Sequence, residues 1–179
     1  MKKGTKVFLI ILGVVIVLGG LIANYGIKIS NNEIDLRIAI PAQTDKVDMY
    51  YTQLVEILVT KAGVSREYAT QNKEFQKSIM EGRYSTGNKS MMWIQEANPE
   101  FDASLYKDLM NSIEGLRKGF FVEQSKLRDL AMQHERLIKR FPSKIFVGKR
   151  GVIEVQILVN KATKTARETG IESTPDLFN

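Results

Sequence analysis

The 179-residue sequence contains no cysteine and only one histidine, His134. Without cysteine the chain forms no disulfide, has no thiolate chemistry and lacks the ligands of nearly every structural zinc site. The same absence is compatible with export to an oxidising compartment. No pair of titratable residues stands out as a general acid and base. We therefore predict no metal, no cofactor and no catalytic residues, in a chain that is not an enzyme.

Acidic residues are missing from the first 32 positions, where Lys2, Lys3 and Lys6 stand. These lysines account for half of the net charge of +6, because the other 23 basic residues face 20 acidic ones. The remainder of the chain has an ordinary charge for a soluble domain. It shows no basic stripe interleaved with aromatic residues, so we predict no binding to nucleic acid.

Charges are also absent from the 17-residue run Val7–Ala23. As a helix this run is about 26 Å long, close to the roughly 30 Å hydrocarbon core of a bilayer. Lys6 at one end and Tyr25 at the other suit the two interfaces. Residues 1–25 are therefore predicted to be a single transmembrane anchor. The three N-terminal lysines predict a cytoplasmic N-terminus and an exported C-terminal domain.

A cleaved signal peptide is the alternative interpretation of this run, since it has the same charged start and apolar centre. A good small-x-small cleavage site is missing, because Leu21 stands two positions before Ala23. If cleavage did occur, the product would be a secreted soluble helical domain.

Residues 26–42 form a juxtamembrane segment whose structure the sequence leaves open. Alternating apolar residues are typical of a strand; they are Ile34, Leu36, Ile38 and Ile40. The segment is equally compatible with a helix that continues from the membrane until Pro41 breaks it.

Between residues 43 and 147 the apolar spacing becomes helical. One helix is predicted from Gln43 to Gly63, a second from Ser65 to about Gly82, and a short buried turn at Met91–Ile94. A long helix from Asp102 to Arg140 has a repeat close to 3.5 residues and ends at Phe141-Pro142. The apolar positions of this repeat are Leu105, Leu109, Ile113, Leu116, Phe120, Leu127, Leu130 or Ala131, His134, Ile138 and Phe141. Of these, Leu109, Ile113, Leu116 and Phe120 are predicted to be buried against the helices at 43–62 and 65–82. The fold class is mainly α, an antiparallel helical bundle behind the transmembrane helix.

The C-terminal part, residues 148–179, is predicted to hold a turn, a strand and a tail. Apolar residues alternate within 151–160, at Ile153, Val155, Ile157 and Val159. Because a single strand needs a partner, we expect a small β element. The candidate partners are Ile34–Ile40, Lys144–Val147 or another chain.

Several motifs occur in the same order as in the LemA family, which the sequence resembles. They are Glu96-Ala-Asn-Pro-Glu-Phe-Asp102, Ile113-Glu-Gly115, Glu123-Gln-Ser-Lys-Leu-Arg-Asp129 and Phe141-Pro-Ser143, with Val47-Asp48 and Leu54-Val-Glu56 similar to the family's first helix. The resemblance covers about residues 43–147 and implies a membrane-anchored helical bundle. It carries over no catalytic or ligand residue. The segment 46–54 and the tail 151–179 depart from the family pattern, which indicates a divergent branch.

Three functional hypotheses follow. The first is a LemA-like scaffold or accessory protein of the cell envelope, with unknown protein partners and possible homo-oligomers. The second is a spanin- or holin-like protein that disrupts the envelope, and the third is the secreted domain described above. A lysis assay separates the second hypothesis from the first.

Individual residues each have a functional and a structural interpretation. Trp93 with Met91 and Met92 is interpreted as a core plug rather than a binding patch. His134 is interpreted as a hydrogen-bonded bundle residue rather than a pH switch. The carboxyls of Glu96, Glu100 and Asp102 are expected to be helix N-terminal and loop charges rather than a cation site. One basic cluster either faces anionic lipid or is a solvated loop; it comprises Lys139, Arg140, Lys144, Lys149 and Arg150.

Overall fold

The computed structural model describes residues 3–81 and 88–158, and these residues are mainly helical. The helices are α1 (Lys3–Ala62), α2 (Arg66–Gln71), α3 (Lys73–Glu81), α4 (Asn88–Ala97), α5 (Tyr106–Lys139) and α6 (Lys144–Val147). Short 3-10 turns occupy Ala103–Leu105 and Gly148–Arg150. The described residues divide into two units: 3–42 with 127–155, and 43–81 with 88–126 and 156–158.

The first unit begins with an apolar part of α1 whose side chains are all exposed from Lys3 to Tyr25. Within the described residues α1 is the one helix long and apolar enough to cross a membrane. Its apolar window is 0% buried, whereas the core helix of a soluble protein would be mostly buried. The mainly α fold with an apolar N-terminal helix is therefore confirmed.

Residues 26–42 belong to α1, so the helical interpretation of the juxtamembrane segment is the correct one. Its half-buried and buried positions follow the 3.6-residue period of a helix; they include Ile29, Glu33, Leu36 and Ile40. The alternation was misleading because Ile34 and Ile38 lie on the exposed face.

Pro41 lies inside α1, so the helix break that the helical alternative placed at Pro41 is not found. A proline in a helix interior costs about 3 kcal/mol because it lacks an N–H and crowds the preceding turn. The residues on both sides, Ile40 and Gln43, are buried. Tertiary packing of the neighbouring turns therefore outweighs the local cost.

In the first unit the C-terminal part of α5 runs antiparallel to α1. Tyr25 of α1 contacts Phe146, which follows α5, whereas Glu33 lies opposite His134 of α5. A small apolar core is formed by Ile29, Ile138 and Val147, with Leu137 packed against it.

In the second unit the C-terminal part of α1 packs antiparallel to the N-terminal part of α5. Gln43 Nε2 donates to Glu123 O at 3.0 Å, and Lys61 Nζ lies 2.8 Å from Asp108 Oδ2. The four positions of the long helix that were predicted to be buried against the preceding helices are buried. Leu105 and Phe141, at the two ends of the predicted apolar repeat, are exposed. Phe120 makes edge contacts with the rings of Tyr50 and Tyr51.

The ends of the predicted helices are confirmed where local chemistry decides them. α1 ends before Gly63, whose φ of 63° suits glycine, and Asn98 Nδ2 donates to the last carbonyl, Ala62 O, at 2.9 Å. Ser65 caps α2 by accepting from Tyr68 N at 3.2 Å. The predicted second helix is interrupted at Asn72, whose side chain accepts from Phe75 N and caps α3.

The predicted β element is not found: residues 151–158 form no strand, and Val159 and the tail lie outside the described residues. Both candidate partner segments are helical, since Ile34–Ile40 lies in α1 and Lys144–Val147 is α6. Backbone groups of the segment pair with side chains instead. Gly151 O accepts from Arg37 at 3.5 Å, and Gln124 with its amide suitably oriented donates to Leu158 O at 3.2 Å.

Candidate functional site

A buried charge cluster around Glu33 is the main polar feature of the first unit. Glu33 lies on α1 about 15 Å along the helix axis from Ala23. Its side chain is completely buried, which is unusual for a carboxylate unless it is paired. Ser30 and Arg37 stand three and four residues away on α1, so all three side chains share one face of the helix.

Glu33 accepts hydrogen bonds at both carboxylate oxygens. Arg37 Nε and Nη2 lie 2.8 and 2.6 Å from Oε1, and Arg150 Nη1 lies 2.6 Å from Oε2. Arg150 Nη2 also donates to Ser30 Oγ at 2.7 Å, and Arg37 Nη2 donates to Arg150 O at 3.1 Å. The carboxylate therefore joins α1 to the 3-10 turn Gly148–Arg150.

His134 supplies the contribution of α5 to this cluster. Its ring is completely buried, with Nε2 3.2 Å from Glu33 Oε1 and Nδ1 3.4 Å from Ile153 N. Because Ile153 N can only donate, Nδ1 accepts and carries no proton. The Nε2 nitrogen is then the one that carries a hydrogen toward Glu33.

The ionisation of Glu33 follows from opposing effects. Burial raises its pKa, but hydrogen bonds from Arg150, Arg37 and His134 lower it more, and the pKa falls from 4.5 to about 2. Glu33 is therefore ionised throughout the physiological range. This carboxylate has low basicity and is surrounded by the hydrogen-bond donors of Arg37, Arg150 and His134. It is therefore suited to holding α1, α5 and the 3-10 turn in contact and not to accepting a proton from a substrate.

An open groove of about 720 Å³ lies in the same unit. Its lining combines apolar side chains with guanidinium groups. The polar members include Asp35, Arg136 and Arg140, and the apolar ones include Leu36, Leu137 and Phe141. The groove contains a carboxylate and two cations but no described nucleophile beside a base.

The residues discussed individually in the sequence analysis do not form a common site within the described part of the chain. His134 is a hydrogen-bonded bundle residue, as predicted. Trp93 stacks on Phe75 with ring centroids 3.4 Å apart, which supports the core-plug interpretation, whereas its neighbour Met92 is exposed. Asp102 accepts from Ser104 N at 2.8 Å as an N-terminal cap. No three acidic or histidine side chains within 3–81 and 88–158 are grouped to hold a metal ion.

The basic cluster predicted from the sequence is divided by its ion pairs. Lys139 pairs with Glu135 at 2.5 Å, and Arg150 pairs with Glu33. Arg140, Lys144 and Lys149 are exposed. Of the five residues, Arg150 is therefore structural, Lys139 is exposed but paired, and the other three are exposed and unpaired within the described part of the chain.

Sequence reasoning missed Glu33, Arg37 and Arg150 as a group. The available signal was the spacing of four between Glu33 and Arg37, which is favourable for an ion pair on a helix. The spacing indicates an ion pair only if residues 26–42 form a helix, which the sequence left open. The partner Arg150 is more than 110 positions away, and no local pattern links it to Glu33.

No family model matches the sequence, and no curated protein or solved structure is significantly similar to it.

Proposed function

We propose that this chain is a single-pass membrane protein of the cell envelope that acts as a LemA-like helical scaffold or accessory protein without catalytic activity. The observation that carries the proposal is the fully exposed apolar part of α1. The same helix continues without interruption into the turns that pack against α5 in the first unit. An anchor and the start of a displayed helical body are thus one element, which needs no linker.

The absence of catalytic activity in this proposal is supported by the chemistry of the Glu33 cluster. Its carboxylate is held ionised by two arginines, and both nitrogens of His134 are engaged. Such a cluster stabilises the fold around the anchor. The LemA-like part of the proposal rests on the order of the sequence motifs.

Three measurements on the full-length chain test the proposal. A scaffold in the membrane should stay in the pellet after carbonate washing, retain its N-terminal residues, and form discrete crosslinked species with other envelope proteins. A mature form beginning near Asn24 would instead support the secreted domain. Rapid lysis on expression would support the envelope-disrupting alternative, and retention in the membrane with no crosslinked species would contradict the scaffold role.

The proposed topology has the N-terminus in the cytoplasm and the C-terminal domain exported, because three lysines precede the apolar run. A C-terminal reporter that is active only outside the cytoplasm should be active. Replacing Lys2, Lys3 and Lys6 with glutamine should reduce that activity. A reporter active only in the cytoplasm would reverse the orientation.

A further inference from the structure

The connection after α5 presents an unusual group of exposed apolar side chains. We call residues 140–149 the basic corner; they comprise a turn, α6 and most of the following 3-10 turn. Within it Phe141 is 76% exposed, Ile145 69% and Phe146 37%. Clustered exposed apolar residues mark a surface that docks on a membrane, another protein or a ligand.

The basic corner lies beside the end of the apolar run of α1. The ring centroids of Phe146 and Tyr25 are 5.8 Å apart. At Gly26 a Cβ atom would come within 2.7 Å of the Phe146 ring, so the missing side chain allows the ring to lie against α1. Tyr25 follows Ala23 by about 3 Å along the helix axis. Phe146 is therefore level with the point where α1 would leave the hydrocarbon core.

The charges of this chain segment have one sign. Residues 136–153 include six basic residues and no acidic one. Arg140, Lys144 and Lys149 are exposed and form no ion pair with any residue in the described part of the chain. Basic and apolar side chains together are typical of segments that lie in the headgroup layer of anionic membranes.

We infer that the basic corner is a second membrane contact, docked on the anionic phospholipid surface of the leaflet from which α1 emerges. Phe141 and Ile145 enter the boundary of the acyl chains. The cations of Arg140, Lys144 and Lys149 contact lipid phosphates. This inference rests on the membrane anchoring in the proposed function and adds a specific lipid class and a specific contact surface.

Single cysteines allow a direct test, because the chain has none of its own. The full-length variant Ile145→Cys is given a nitroxide label and reconstituted into vesicles of phosphatidylcholine with phosphatidylglycerol. The accessibility of the label to oxygen and to a water-soluble nickel complex reports its depth. Met132→Cys is the control in the same unit, since Met132 is exposed and lies about 10 Å before the end of α5. Ile16→Cys marks the span itself.

The label at Ile145 should show an oxygen-to-nickel accessibility ratio several-fold higher than the label at Met132. Equal ratios would overturn the inference, because both labels would then be in water. Protection of the Ile145 label from both reagents would also overturn it, since protein and not lipid would then cover the corner. A water-exposed label at Ile16 would contradict the anchor itself, and is thus distinguishable from a failure of the corner alone.

A charge variant tests the lipid class. Replacing Arg140, Lys144 and Lys149 with glutamine should move the Ile145 label toward water in vesicles with phosphatidylglycerol. It should also remove the difference between these vesicles and vesicles of phosphatidylcholine alone. Arg128→Gln, an exposed basic position of the same unit, should change neither value. An unchanged label depth in the triple variant would refute the role assigned to lipid phosphates.

Discussion

Glu33 of α1 and His134 of α5 meet in the interior of the first unit, with Nε2 of the histidine 3.2 Å from Oε1 of the carboxylate. The contact joins residues that are 101 positions apart in the sequence. With Arg37 and Arg150 it forms a set of paired charges around the buried Glu33, and the loss of this set has measurable consequences.

Glu33→Gln should lower the free energy of unfolding by about 3 kcal/mol, near the lower end of the usual cost of breaking a buried ion pair. The lower end is expected because Arg37 and Arg150 are partly exposed, so solvent screens the charges left without a partner. Urea titration of the full-length protein in detergent measures the change. Glu114→Gln is the control, since its pairing with Lys118 is solvent-exposed and should contribute nothing measurable. Equal stability of both variants would show that the cluster is not stabilising.

The stability of the wild type should fall in acid partly because of Glu33. Its pKa is about 2 in the folded protein against 4.5 for an ordinary glutamate, so the unfolded state binds more protons between these values. The stabilisation of the folded state by Glu33 is therefore fully present above about pH 4.5 and is lost as the pH falls toward 2. The stability difference between wild type and Glu33→Gln should shrink over this window. A difference that stays constant from neutral pH to pH 2 would contradict the lowered pKa.

His134→Phe should release the segment after Gly151. Phenylalanine keeps an aromatic ring of slightly larger size at this position but offers no acceptor to Ile153 N and no donor to Glu33. Leaving a polar group without its partner costs about 1–3 kcal/mol when it stays buried. Hydrogen exchange in a peptide covering 151–155 should become faster. Gln133→Ala, at the exposed neighbouring position, should leave that exchange unchanged.

Leu109→Ala and Leu105→Ala form a matched pair four residues apart. Leu109 is completely buried in the second unit, and its truncation should cost about 2–5 kcal/mol through lost burial and the cavity left behind. Leu105 is 52% exposed, so the same truncation should change stability by less than about 0.5 kcal/mol. Thermal unfolding followed by circular dichroism compares the two. Similar losses of stability in the two variants would mean that Leu109 is not part of the buried core.

The apolar N-terminal helix and the buried positions 109–120 of the long helix were predictable from the sequence because their signals are local. An uncharged run has the length of a bilayer whatever the rest of the chain does. Positions 109, 113, 116 and 120 repeat at helical spacing within one element, and this spacing alone selects the face that is buried. Caps such as Ser65 are equally local, since the side chain and the N–H that it accepts are three residues apart.

The juxtamembrane helix and the segment after Gly151 were decided by tertiary contacts. Alternating apolar residues form a stable strand only if a partner strand exists. Here the backbone of residues 151–153 instead forms hydrogen bonds with the side chains of Arg37 and His134. The sequence by itself determined the apolar N-terminal helix, the α class and the buried face of α5 between positions 109 and 120. Only the tertiary structure decided that α1 passes through Pro41 and that Glu33 meets Arg150 and His134. The physical reason is that burial and ion pairing act through space, between residues that no local pattern connects.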